Sequence, residues 1–269
     1  MSSELKWNST EMMTIAASRI LQNEMICFVG IGIPSTAAIL AKSMHAPELF
    51  LVYESGTVNT NPQKLPLSIG DGELANRALS VVGMPEIFNY WLQPGRIDMG
   101  FLGAAQIDKF ANINTTIIGS DYKNPKVRLP GAGGAPEISG ACKEVVVILK
   151  HSPRAFVAKI DFITSLGFDS GPGSRKAAGL IGTGPSAVIT DLGVFDVKDG
   201  KKGGGSLAAN TIGYKLCTGK YVKGCKSPRI KELQNCLGTA YTGKNDIYFG
   251  DLTQAALEAN GYKNGVTDV

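Results

Sequence analysis

The sequence predicts an α/β protein built on a single open, mostly parallel sheet with helices on its faces. Three observations support this fold class. Short continuous apolar runs at 25–29 and 49–53 are typical of strands that are covered on both faces. A glycine turn and a helical pattern lie between them, and this strand–helix–strand order favours parallel pairing. The later apolar runs are spaced too irregularly for a repeat protein.

The elements follow in chain order. Asn8 and Glu11 precede an apolar periodic segment, which predicts a capped helix that ends near Asn23. The segment 30–34 predicts a turn, and Pro34 suits the first turn of a helix over 35–44. Glycine and proline punctuate further strands, which are expected at 99–102, 115–118, 145–149, 156–163 and 187–197.

The sequence predicts an α/β domain at 1–200 and a divergent, Gly/Lys-rich C-terminal tail at 201–269. The first part carries 17 Lys/Arg against 18 Asp/Glu, whereas the second carries 10 against 5 and contains 11 glycines. The tail lacks Arg-rich clusters interleaved with aromatic residues. We therefore expect a solvated tail and no nucleic-acid partner.

Composition excludes several other classes. The chain is 43% hydrophobic and contains no apolar run of about 18 or more residues, so no membrane partner is expected. The N-terminus lacks a signal-peptide pattern, and five cysteines without C-x-x-C argue against disulfides and against a metal site. We expect a cytoplasmic protein.

Glu54 is the leading chemical candidate. It follows the predicted strand 49–53 and precedes Ser55-Gly56, so it should lie at the rim of the sheet, where α/β proteins hold ligands. Downstream, the glycine-rich run 131–136 suits close approach by a ligand. If the two meet, Glu54 becomes a nucleophile and the N–H groups of Gly133 and Gly134 become oxyanion donors.

Other chemistry competes with this interpretation. Gly30-x-Gly32-x-x-Ser35 follows a strand and partly matches the dinucleotide fingerprint, in which Glu54 would bind ribose. Ser35 in place of the third glycine and the stiff Pro34 weaken this NAD alternative. The serine-hydrolase and triphosphate-loop motifs are absent. His45 suits a surface or capping position, and His151 suits a turn.

Five motifs occur here in the order found in one family. They are Val52-Tyr53-Glu54-Ser55-Gly56, Gly103-Ala104-Ala105-Gln106-Ile107-Asp108, Asn112-Ile113-Asn114-Thr115-Thr116, Gly131–Ala135 and Asp191-Leu192-Gly193-Val194-Phe195. Over about 8–197 the chain resembles the β subunit of class I CoA-transferases, in particular the glutaconate CoA-transferase branch. From about 200 onward the resemblance fades.

The resemblance implies a CoA-transferase/NagB-like fold and a transferase reaction. Glu54 occupies the position of the covalent nucleophile, which passes through a glutamyl anhydride and a glutamyl-CoA thioester. Gly133 and Gly134 lie in the family's glycine segment beside it, and Gly30, Gly32, Ser55 and Gly56 correspond to the loops of the pocket. No permanently bound cofactor is implied, because coenzyme A and acyl-CoA are substrates.

The resemblance also implies a partner. The family's site is composite, so an α subunit should complete it in a hetero-oligomer such as a heterotetramer, with a small, possibly dicarboxylic, acid as the other substrate. A same-fold acyl-CoA decarboxylase or hydrolase subunit is the alternative, although relatives of that kind alter the glutamate that is intact here. Asp108 suits a structural turn, and Arg128 suits either a substrate carboxylate or the surface.

Overall fold

One sheet of eight strands organises the chain. The structure, a computed structural model, describes residues 8–197, so the predicted tail at 201–269 lies outside the described residues. The strands are β1 (Ile26–Val29), β2 (Phe50–Tyr53), β3 (Thr57–Val58), β4 (Ser80–Val81), β5 (Met99–Gly103), β6 (Gln106–Ile107), β7 (Ile113–Asn114), β8 (Ile117–Ile118), β9 (Val127–Arg128), β10 (Glu144–Ile148), β11 (Pro185–Thr190) and β12 (Gly193–Asp196).

The sheet is parallel in its centre and antiparallel at its edges. Its order is β12-β11-β10-β5-β1-β2-β3-β4, while β6 pairs with β7 and β8 with β9 outside it. The five strands from β11 to β2 run parallel, and β12, β3 and β4 are added antiparallel. The prediction of a single, mostly parallel α/β sheet is therefore confirmed.

Helices cover both faces of the sheet. They are α1 (Ser9–Ser18), α2 (Ile33–Met44), α3 (Gly72–Asn76), α4 (Met84–Glu86), a π-helix (Ile87–Leu92), α5 (Ala135–Ala141) and α6 (Ser174–Ala177). The predicted capping box is present, since Asn8 accepts from the Glu11 N–H and Glu11 accepts from the Asn8 N–H. Pro34 lies in the first turn of α2, as expected.

Alternate residues of the central strands enter two separate cores. On β1, Cys27 and Val29 pack toward the side that holds buried residues of α1 and α2, whereas Phe28 packs toward the side of α5 and the π-helix. This period of two follows from the pleat of a strand. Because both faces are covered, the central strands are apolar at nearly every position, which makes them recognisable as continuous runs.

Three strand predictions were wrong in part. The segment 156–163 contains an isolated bridge of Phe156 with Ile107 and no strand, and the Asp161 N–H donates to the Gln106 side chain instead of to a ladder. The segment 187–197 is split by a turn between β11 and β12. In this turn Thr190 Oγ1 donates to Gly193 O and accepts from the Gly193 N–H. The segment 115–118 keeps only the two residues of β8.

A tight turn joins β2 to β3. The Gly56 N–H donates to Tyr53 O, and the Gly56 carbonyl accepts from the Val82 N–H beside β4. Gly56 has φ +108°, and a Cβ at this position would fall 1.9 Å from the Val82 carbonyl oxygen. The turn that carries Glu54 and Ser55 therefore requires glycine at this position.

We expect Gly56→Ala to lower the free energy of unfolding by about 2–4 kcal/mol, because the new methyl group overlaps backbone at a left-handed residue. Gly30→Ala is the matched control. Gly30 is also a loop glycine, but it has open space around its Cβ position and no positive φ. Its change should stay within about 1 kcal/mol. Urea titration of both variants measures the difference, and equal midpoints would contradict the role given to Gly56.

Candidate active site

Glu54 lies at the rim of the sheet, directly after β2. Tyr53, the last residue of β2, is aligned with Val29 at the end of β1, so Gly30 and Glu54 leave neighbouring parallel strands at the same edge. The Tyr53 side chain is buried on the α2 side, whereas Glu54 lies on the α5 side and is partly buried. The predicted position of Glu54, at the edge of the sheet where the parallel strands end, agrees with this geometry.

The glycine loop meets Glu54 in space. Gly134 is buried, and a Cβ built on it would lie 3.6 Å from Glu54 Oε1. The same position falls 2.7 Å from Cζ of Phe88, which projects from the π-helix. Only a residue without a side chain allows the backbone to fit between this ring and the carboxylate.

The loop leaves three N–H groups unused. Gly131 N–H donates to Thr115 O and Ala135 N–H donates to Ala132 O. Within residues 8–197, the N–H groups of Ala132, Gly133 and Gly134 donate to no acceptor. Of these three residues, Gly134 lies beside the Glu54 carboxylate, and unused backbone N–H groups are the donors that an oxyanion needs. Gly133 is exposed and has φ +50°.

Thr115 binds both backbone groups of Gly131, the first residue of the glycine loop. Its hydroxyl donates to Gly131 O at 2.7 Å, and its carbonyl accepts from the Gly131 N–H at 2.8 Å. The Thr115 N–H in turn donates to Thr164 Oγ1 at 2.9 Å. The first residue of the loop is therefore fixed to the segment after β7.

Buried amides support this clamp. Asn114 donates to the Gln106 side chain at 2.7 Å and accepts from the Thr116 N–H at 2.9 Å. Gln106 also donates to Asp161 at 3.0 Å. Both amides are almost wholly buried, and each is satisfied by neighbours, as buried polar groups require. Gln106, a motif residue without evident chemistry, thus helps to hold Asn114 and Asp161 in place.

The loop after β1 is fastened to β2 by Ser35. Its hydroxyl donates to Gly30 O at 2.9 Å and lies 3.1 Å from the Tyr53 hydroxyl. Burial raises the pKa of Tyr53 to about 12, with the Ser35 bond opposing that rise. Gly32 has φ +89° and forms the N-cap of α2. Ser35, which in sequence looked only like a defect in a dinucleotide motif, is a structural fastener here.

The remaining candidates have other positions. Asp108 accepts from the Phe110 and Asn112 N–H groups, and its pKa is raised because burial outweighs these bonds. Arg128 is exposed and donates to Tyr122 O while its guanidinium lies 4.8 Å from the Tyr122 ring. Ser55 Oγ is buried, and within the described residues it has no hydrogen-bond partner.

Neither histidine lies in the part of the site described above. His45 follows α2 and contacts Leu21 O. His151 stacks on Phe156 and Phe195 at centroid distances of 4.5 and 5.6 Å. Burial lowers the pKa of His151, and the nearby Asp191 opposes this effect. The part of the chain that the structure describes contains no cluster of three potential metal ligands and no helix long and apolar enough to cross a membrane.

Sequence reasoning missed two residues of this site, Phe88 and Thr115. Phe88 lies in a segment with no recognisable motif, and its contact with Gly134 joins residues 46 positions apart (134 minus 88). Thr115 lies within a motif that was recognised, but its bond to Gly131 is not encoded by spacing. The one signal in the sequence is general: a glycine-rich loop needs a side chain that fixes its backbone, and a threonine hydroxyl can do so.

Comparison with known proteins places this geometry in a family. The family model for coenzyme A transferase matches residues 10–212. The chain is 60% identical over 194 residues to the B subunit of 3-oxoadipate CoA-transferase from Pseudomonas knackmussii, covering 72% of this chain and 74% of that protein. It is 36% identical over 201 residues to the B subunit of glutaconate CoA-transferase from Acidaminococcus fermentans, covering 71% and 74%. Identity is thus higher to this 3-oxoadipate relative than to the glutaconate one.

Solved structures agree. Glutaconate coenzyme A-transferase from Acidaminococcus fermentans superposes with a TM-score of 0.67 at 31% identity, covering 75% of this chain and 77% of that one. The decarboxylase AibA/AibB shares the fold alone, with a TM-score of 0.60 at 22% identity over 71% and 74%. The chain belongs to the coenzyme A transferase family and is a transferase subunit of the β type.

Proposed function

We propose that this protein moves coenzyme A between an acyl-CoA and a dicarboxylic acid, with Glu54 as the covalent carrier. The observation that carries the proposal is the backbone of Gly134 against the Glu54 carboxylate, with unused N–H groups at Gly133 and Gly134. A carboxylate is already ionised near neutral pH and needs no general base. This agrees with histidines that lie elsewhere.

The proposed reaction passes through two covalent states. A Glu54 oxygen attacks the thioester carbonyl, the C–S bond breaks, and coenzyme A leaves as a thiolate from a mixed anhydride. The thiolate then attacks the Glu54 carbonyl of that anhydride, which releases the first acid as its carboxylate and leaves a glutamyl-CoA thioester. The acceptor acid reverses both steps. Each half-reaction conserves charge, and neither needs a proton donor.

Oxyanion stabilisation is assigned to the glycine loop. Each attack places negative charge on a former carbonyl oxygen, and preorganised N–H donors beside it lower the barrier by roughly 3–4 kcal/mol each. Gly133 and Gly134 supply such donors without a Cβ to hold the substrate away. The loops that contain Gly30, Gly32, Ser55 and Gly56 form the adjoining wall, because β1 and β2 end side by side.

The substrate class is proposed from the relatives. 3-Oxoadipate and glutaconate, which name two of them, are both dicarboxylic acids. We assign a dicarboxylic acid to this chain on that basis, with an α subunit closing the site in a hetero-oligomer such as a heterotetramer. Arg128 is held by Tyr122, so the second carboxylate is assigned to the α subunit.

Trapping tests the role of Glu54. We expect acyl-CoA followed by borohydride to reduce the glutamyl thioester and inactivate the complex of this chain with its α subunit. The modification should map to the tryptic peptide 43–64, which contains Glu54 as its sole acid besides Glu48. Glu54→Gln should lower kcat at least about 10³-fold and abolish trapping, because the nucleophile is lost.

Glu48→Gln is the matched control, since Glu48 lies in the same peptide and is exposed. It should be trapped and active like the wild type. An active Glu54→Gln complex would rule out the covalent mechanism. Release of free acid or of CO₂ without transfer would support the hydrolase or decarboxylase alternative, and saturable binding in an NADH titration would support the NAD alternative.

A second prediction concerns the clamp on the glycine loop. We expect Thr115→Val to lower kcat about tenfold with a small change in KM, because the loop loses one of its two bonds at Gly131 and its amides move from the oxyanion position. Thr115→Ser keeps the hydroxyl and should recover most of the activity. Both variants should unfold within about 1.5 kcal/mol of the wild type. Equal kcat values for Val and Ser would contradict a positioning role.

A further inference from the structure

The ring of Phe88 borders the same small space as the Glu54 carboxylate. A Cβ built on Gly134 would lie 2.7 Å from Phe88 Cζ and 3.6 Å from Glu54 Oε1. The ring carbon and the carboxylate oxygen are therefore at most 6.3 Å apart, which is the sum of these two distances. The reaction proposed above uses Glu54 and the glycine loop, and it leaves this ring without a role.

An aromatic neighbour holds the ring against the strands that end at the site. Phe28 on β1 lies edge-on to Phe88, with the ring centroids 6.1 Å apart and an interplanar angle of 68°. Phe28 is aligned with Val52 on β2, two residues before Glu54. Residues two apart on a strand lie on the same face. The ring is thus seated on the face of the sheet from which Glu54 continues.

A π-helix carries Phe88, and this helix is fastened to β2. The Gln93 N–H donates to Phe88 O at 2.9 Å, which is the five-residue bond of a π-helix. Trp91 of the same helix stacks on Phe50, the first residue of β2, at a centroid distance of 5.6 Å. π-Helices are rare and frequently occur at functional sites. The strand that leads to Glu54 therefore also fixes the element that presents Phe88.

The surroundings of the carboxylate on this side are apolar. Within residues 8–197, the Glu54 carboxylate takes part in no hydrogen bond and no ion pair. The Gly134 backbone and the Phe88 ring lie beside it, and neither presents a polar side chain that could hold a water molecule there. Phe88 is itself partly buried, so its ring covers part of this space.

The covalent states on Glu54 need such a cover. In hydrolysis of the glutamyl-CoA thioester, the water oxygen bonds to the Glu54 carbonyl carbon and the C–S bond breaks. Coenzyme A leaves as a thiol with one proton of the water, the other proton is released, and the Glu54 carboxylate is restored. Transfer requires the thioester to persist while one acid leaves and the next enters. Exclusion of water is a general way to prevent this side reaction.

We infer that Phe88 keeps water from the covalent states on Glu54, so that coenzyme A is transferred and not hydrolysed. The inference rests on the proposed function, because only a covalent ester on Glu54 needs this cover. Phe88 exchanges no proton and acts through the space that its ring fills. A branched aliphatic side chain should therefore replace it nearly as well, whereas a methyl group should not.

The ratio of hydrolysis to transfer tests the inference. The full chain in complex with its α subunit is supplied with succinyl-CoA and 3-oxoadipate, which are named by two relatives. We expect Phe88→Ala to raise the ratio of coenzyme A released to coenzyme A transferred at least about tenfold, because water then reaches Glu54. Phe88→Leu keeps an apolar side chain and should stay within about threefold of the wild type.

Tyr90→Ala is the matched control. Tyr90 is another aromatic residue of the same π-helix, but it is 61% exposed. The control should keep the wild-type ratio, and thermal unfolding checks that each variant is folded. Phe88→Val is measured alongside, so that the inference stays testable if Phe88→Ala does not fold. Its ratio should lie between those of the leucine and alanine variants.

Solvent oxygen shows where the water attacks. One equivalent of succinyl-CoA is added to each complex in ¹⁸O-labelled water without an acceptor acid. Hydrolysis of the thioester then places one labelled oxygen in the Glu54 carboxylate, which mass spectrometry detects in the tryptic peptide 43–64. Phe88→Ala should acquire this label at least about tenfold faster than the wild type and Tyr90→Ala. A purely structural defect would slow turnover without adding the label.

The outcomes separate this inference from the proposed function. Wild-type ratios in both Phe88→Ala and Phe88→Val, with transfer intact, would overturn the inference and leave the covalent mechanism in place. An equal rise in Tyr90→Ala would also overturn it, because general loosening of the π-helix would then be the cause. A wild-type complex that forms no adduct trapped by borohydride and transfers no coenzyme A would refute the proposed function, and this inference with it.

Discussion

The backbone of Gly134 occupies the gap between the Phe88 ring and the Glu54 carboxylate, and the rest of the site is arranged around that contact. A single methyl group at Gly134 would overlap the ring at 2.7 Å. The approach also requires the β2–β3 turn to hold Glu54 in place, which depends on Gly56 and its bonds to Tyr53 and Val82. Thr115 fixes the other end of the loop through Gly131. Glycine thus serves two separate purposes here, an open backbone at Gly134 and a left-handed turn at Gly56.

The two faces of the sheet hold different parts of the candidate site. Residues on the α2 side, such as Tyr53 and Ser35, fasten the strand ends to one another. Glu54 and the glycine loop meet on the α5 side.

Much of the fold followed from the sequence because buried parallel strands are apolar at every position. The runs that became β1, β2, β5 and β10 were recognisable for this reason, and the Asn8–Glu11 capping box fixed the start of α1. Strand predictions failed where the backbone bonds to side chains and not to a neighbouring strand. The segment 156–163 has strand-like composition, yet Asp161 bonds to Gln106 and Gly119, which are distant in sequence. Local pattern contains no information about such partners, so the segment could not be predicted.

The sequence by itself determined the family, the mostly parallel sheet and the position of an acid at the end of β2, since each depends on residue order and on local burial. Only the tertiary structure decided that Gly134, and not merely some part of a glycine-rich run, lies against Glu54. It also decided that Arg128 is held by Tyr122, that Ser35 fastens Gly30, and that Phe88 closes the gap. These contacts join residues that are close only after the sheet has formed, because the distance between strand ends is set by register and loop packing, which no short stretch of sequence encodes.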